Sequence, residues 1–147
     1  MIATLNSARG KRELLAMEEN LAKKMGPLVL FAFFQPQDAL WGLWDVVVSS
    51  EYVKNHGIYK SIDLIAKYLK STKIDPMVIS KIVPLAPNSP FVKAVTGLIN
   101  VEHNPTDMQN CVFDGLEMNR AIIITSRRIK KVTKSTRARQ PSKSRTG

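Results

Sequence analysis

Residues Leu28 to Phe34 form an unbroken run of seven apolar side chains, bracketed by Gly26-Pro27 on one side and Gln35-Pro36 on the other. Such a run is far too short to span a bilayer as a helix. Its length and its glycine and proline borders fit a buried strand better than a short helix. A buried strand must be covered by other elements, so the rest of the chain is read for what covers it.

Upstream, Leu14, Met17, Leu21 and Met25 recur at three- and four-residue spacing, with Glu13, Glu18, Glu19, Lys23 and Lys24 filling the other faces. This is an amphipathic helix capped by Asn6 or Ser7 and closed by Gly26-Pro27, since glycine accepts the left-handed cap and proline cannot continue the ladder. Downstream, Trp44 to Ser49 contains Val46-Val47-Val48, and consecutive β-branched residues fit a pleated sheet, so a second strand pairing with the first is expected. Trp41 and Gly42 lie in the loop between them, expected to cover part of the sheet. Ile58, Ile62, Ile65 and Leu69, with Leu64 and Tyr68, predict a helix over 57–70.

Asp75-Pro76 reads as a cap and a first turn before a strand at Ile79 to Leu85, whose Pro84 belongs on an edge or at a strand end. Asn88-Ser89-Pro90 repeats the signal before a third helix carrying Phe91, Val92, Val95, Leu98 and Ile99. Asn110 to Phe113 and Leu116 to Thr125 flank Asp114-Gly115, the pair favoured in two-residue hairpin turns because both positions need positive φ. The order αββαβαββ predicts an α/β fold: a mixed sheet of about five strands with flanking helices, in which both strand-helix-strand passages are parallel crossovers.

Charge divides the chain. Residues 127–147 hold Arg127, Arg128, Lys130, Lys131, Lys134, Arg137, Arg139, Lys143 and Arg145 with no acidic residue, a charge of +9 out of the chain's +10. Residues 1–126 are nearly neutral and carry the apolar periodicity, so they are expected to form one α/β domain, followed by a basic tail too polar to order itself. A chain of 147 residues can bury a core of its own. Cys111 is the sole cysteine, which excludes an intrachain disulfide and a cysteine zinc cluster within one chain. These features are those of a soluble, cytoplasmic protein with no membrane partner.

The basic tail is the strongest functional feature, because its charges can neutralise phosphates and release counterions. Arg127, Arg128, Lys130, Lys131, Lys134, Arg137 and Arg139 are the expected contacts to nucleic acid or another polyanion. Without aromatic residues among them there is charge but no stacking platform for bases. The carboxyl ends of parallel strands usually border a ligand crevice, which makes Ser49, Ser50, His56, Asn88 and Ser89 a candidate anion pocket; for Asn88 and Ser89, capping the helix is the simpler account. Cys111 with His103 would be a candidate nucleophile and base, but a cysteine within a strand packs more often than it reacts. Asp45 is expected to face solvent, and Trp44 with Phe31, Phe33 and Phe34 to be core. No residue is assigned a catalytic, metal or cofactor role. The leading expectation is a noncatalytic binding or regulatory domain using the tail. The alternatives are a protein-interaction module working through its aromatic loop or an exposed sheet edge, and a small enzyme acting on an anionic substrate in the crevice.

Overall fold

The computed structural model describes residues 4–39 and 42–128. Its first element is helix α1 (Ala8–Met25), entered through Ser7, whose hydroxyl accepts from the Gly10 amide at 2.9 Å. Gly10 is required by space: a Cβ there would sit 1.8 Å from the Thr4 carbonyl oxygen of the chain folding back over the helix start. The helix ends at Gly26, whose φ of 77° fits its role as the cap residue. Strands β1 (Leu30–Pro36) and β2 (Trp44–Ser49) then pair antiparallel, with Phe31 opposite Val48 and Phe33 opposite Val46.

A short helix that the apolar pattern does not reveal, α2 (Glu51–His56), precedes α3 (Ile58–Lys70). Ser50 caps α2 by accepting from the Tyr52 amide, and Gly57, at φ 90°, separates the two helices. The periodicity of α3 holds only in part: Ile65 and Leu69 are buried together with Ser61, while Ile58 at the first turn is 55% exposed. A single 3₁₀ turn (Pro76–Val78), capped by Asp75, leads into β3 (Ile79–Leu85). Helix α4 (Pro90–Leu98) and the hairpin of β4 (Thr106–Phe113) and β5 (Leu116–Ser126) complete the described fold. Asp114 and Gly115 take φ 52° and 77°, the signs the turn requires.

The five strands are ordered β3-β2-β1-β5-β4, so β1 is central and both its neighbours run antiparallel to it. The fold is a mixed α/β sheet, as the element order implies. Only β2 and β3 are parallel, however. The second passage, through α4, is no parallel crossover: β5 takes the free side of β1 and β4 pairs with β5, so α4 carries the chain to the opposite edge of the sheet. One face of the sheet buries Phe31, Phe33, Val46, Val48, Ile122 and Ile124 under α1, α2 and α3; the other buries Leu30, Ala32, Phe34, Val47, Ala121 and Ile123 against α4 and Phe113. No helix among the described residues is long and apolar enough to cross a membrane.

The turn geometry makes a direct prediction. Gly115→Ala places a Cβ where φ is positive and should destabilise the chain by about 1 kcal/mol, read from urea unfolding; an unchanged midpoint would contradict the turn.

Candidate functional site

The last residues of β5 meet α1 and the start of β1 in the most polar part of the interior. Strict alternation along β5 would send Ile122 and Ile124 to the α1 face, and Ile123 and Thr125 to the α4 face. The pairing with β1 slips at this point: Ala32 faces Ile123 but Phe31 faces Thr125, leaving Ile124 as the extra residue of a β-bulge. Thr125 is thereby turned toward α1, where its hydroxyl donates to Glu18 Oε2.

Glu18, read from the sequence as filling another face of α1, instead lies on the buried stripe between Leu14 and Leu21, one turn from each, and is only 7% exposed. Its other oxygen, Oε1, is 2.5 Å from His103 Nδ1, while His103 Nε2 lies 3.5 Å from Glu19 Oε2. The His103 backbone is fixed as well: its amide donates to Thr125 Oγ1 at 2.9 Å, the Asn104 amide donates to the Ile124 carbonyl at 2.9 Å, and φ at His103 is 50°. Through its Nδ1 contact with Glu18 the imidazole works as a clasp joining α1 to the segment before β4. A cleft of about 260 Å³ opens beside it, bordered by Glu19, Glu102 and Arg127.

Arg127 stands between this cleft and a larger one of about 750 Å³ beside the last turn of α4, walled by Thr96, Gly97, Leu98, Asn100 and Arg128. Its guanidinium donates twice to the Leu28 carbonyl, from Nε at 2.9 Å and Nη2 at 2.6 Å, and Nη1 is 3.6 Å from Glu102 Oε1. Arg128 donates from Nη2 to the Gly97 carbonyl at 2.8 Å. Both arginines are thus tied to the fold, one and two residues beyond the end of β5. Lys130, Lys131, Lys134, Arg137 and Arg139 lie outside the described residues, as does Trp41.

The five residues of the anion-pocket reading are placed in different surroundings. Ser49 is fully buried and its hydroxyl has no hydrogen-bond partner, whereas Ser50 caps α2. His56 stacks on Tyr52, with ring centroids 3.9 Å apart, and its Nδ1 is 3.2 Å from the Tyr52 carbonyl. Ser89 is the cap residue of α4, makes no side-chain cap bond, and follows an exposed Asn88. No hydrogen bond links any two of the five, and none of them borders the clefts described here.

Cys111 is half-buried in β4, and burial pushes its thiol above the ordinary cysteine range, which disfavours the nucleophilic thiolate. Asp45, read from the sequence as solvent-facing, is held largely buried with Lys81 Nζ 4.0 Å away. Burial raises its carboxyl above the ordinary value; Lys81 opposes this and Asp38 adds to it. Trp44 is buried as expected, with the Arg120 guanidinium 5.8 Å over its ring. No protein-family model matches the chain, nor does any curated protein or solved structure.

Thr125→Val keeps the shape of the side chain while removing both the donor to Glu18 and the acceptor for the His103 amide. It should cost about 1.5–3 kcal/mol in chemical denaturation, the range for a hydrogen bond to a charged group; a neutral result would mean that the clasp contributes nothing. For Asp45 the sign is opposite. A carboxyl raised on folding binds its proton more tightly in the native state, so stability falls as pH climbs from the ordinary value of 3.8 through the raised one, and the ionised group burdens the fold at neutral pH. Asp45→Asn should therefore raise the melting temperature at pH 7 (a neutral working pH) by more than at a pH below 3.8. A variant less stable than wild type at neutral pH would show that the Lys81 pair outweighs burial.

Proposed function

We propose that the protein is a noncatalytic binding domain that contacts nucleic-acid phosphates through the basic segment following β5. One observation carries this reading: residues 127–147 hold nine basic and no acidic side chains, whereas the preceding 126 residues sum to about +1. Phosphate neutralisation with counterion release is the chemistry such a segment offers. Lysine, arginine, serine and threonine position a duplex without reading its bases.

The environment of Arg127 and Arg128 refines which charges take part. Their guanidinium groups already hold the Leu28 and Gly97 carbonyls, so they anchor the segment at the sheet end. Seven cations remain beyond them, from Lys130 to Arg145. The raised thiol of Cys111 disfavours a nucleophilic role for it.

A salt titration on two unrelated duplexes tests the proposal. If about half of the seven cations engage, the slope of log K against log salt should be about −3, from roughly −0.9 per phosphate neutralised, and should be the same for both sequences. Replacing Lys130, Lys131, Lys134 and Arg137 with glutamine should flatten the slope and weaken both complexes equally. A wild-type slope near zero, or binding indifferent to the four substitutions, would overturn the reading.

A further inference from the structure

Strand β3 closes one side of the sheet: it pairs with β2 and has no second neighbour among the described strands. An edge strand presents unpaired amide and carbonyl groups along its open side. Here that side is not bare surface. A groove of about 690 Å³ lies against four consecutive residues of β3, Ile79 to Ile82, and its far wall is the face of α3 that carries Ile62, Ala66 and Leu69. Ile74 forms part of the same apolar lining, and Ile79 and Ile82 are only half-buried although they pack against the α1-side core. The rim is of one sign, made by Lys70, Lys73 and Lys81. Lys81 lies 4.0 Å from Asp45, and the Lys73 backbone amide donates to Glu13 Oε1 at 2.9 Å, but neither Lys70 nor Lys73 forms a side-chain ion pair among the described residues.

We propose that this groove binds an extended, acidic segment of another protein, which adds as a strand to the open edge of β3, places alternate apolar side chains against α3, and turns its carboxylates toward the three lysines. Strand addition supplies affinity through main-chain hydrogen bonds and specificity through pockets for every second side chain, and the groove provides both surfaces. The charge of the rim decides among the occupants. The chain's own 127–147 segment carries nine basic and no acidic side chains and is repelled by the rim. A second copy paired edge to edge would bring two sets of lysines together. An acidic partner meets neither obstacle. A long-chain fatty acid would satisfy the apolar wall and one lysine but leave the strand edge unused.

The probe is a capped, fluorescent synthetic peptide of alternating valine and glutamate, matched to the seven residues of β3 and titrated into the full chain. Two relatives accompany it: the same peptide N-methylated at alternate residues, which cannot complete a ladder, and the valine-lysine version. The valine-glutamate peptide should bind, slow the exchange of amides in 79–85, and outcompete both relatives by about tenfold or more, the factor a difference of 1.4 kcal/mol gives.

Ala66→Trp, which fills the groove from a half-buried helical position without changing its charge, should weaken binding by about tenfold. Lys70→Glu combined with Lys73→Glu lies on the exposed rim and leaves the core untouched; it should reverse the preference toward the lysine peptide. The basic C-terminal segment is unaltered in these variants, so peptide held there alone would bind them as it binds wild type, and that result overturns the proposal. Equal binding of the N-methylated peptide would also overturn it, as would oleate occupying the groove when the peptide does not.

Discussion

Burial of β1 on both of its faces is the constraint from which the rest of the fold follows. Leu30, Phe31, Ala32, Phe33 and Phe34 are each at most 1% exposed, and they alternate between two separate cores. Each large side chain so buried contributes roughly 1.5–3 kcal/mol relative to exposure, so neither face can be left to solvent. Two covering layers are then obligatory. Helices α1, α2 and α3 serve one face, and α4 with Phe113 serves the other. Once β2 occupies one side of β1 and β5 the other, β3 and β4 become the edges, and the chain has to cross the sheet through α4 to connect them.

Much of this was legible because the signals are local and redundant. The Gly26-Pro27 stop, the Asp75-Pro76 start and the Asp114-Gly115 turn each rest on a backbone conformation that few residues tolerate, and each is found where the sequence puts it. Pro84 pointed correctly to an edge strand. Strand neighbours were less legible. A strand-helix-strand passage gives the length of a crossover without saying which side of the sheet is still open, and for α4 the side beside β3 was not the one taken. Helix α2 escaped notice because six residues with one buried side chain, Val53, are too few to show a period.

The polar clasp was legible by half. A glutamate at position 18 falls on the same helical face as Leu14 and Leu21, and a carboxylate within an apolar stripe implies a buried partner. That signal was present in the sequence. The identity of the partner was not, because Thr125 reaches Glu18 only through the bulge at Ile124, and three successive isoleucines before it give no hint of where alternation fails. His103 shows the same limit: its sequence context suggests a turn, while its ring is oriented by carboxylates on a helix 85 residues away.

Charge has opposite consequences at the two ends of this molecule. Beyond β5 it is concentrated on a segment with almost nothing apolar to accompany it, so attraction there is long-ranged, screened by salt and indifferent to shape. Along β3 the lysines border an apolar wall and an open strand edge, so charge acts at contact distance and selects what the edge accepts. Lysines on an edge are a common defence against self-association, because a like-charged copy is turned away before its backbone can pair. The same repulsion becomes discrimination once an oppositely charged strand is available, since specificity is a difference between affinities and rejection of one partner counts as much as attraction of another. Protection of the edge and selection of an acidic strand are in this sense one electrostatic property, read against two different partners.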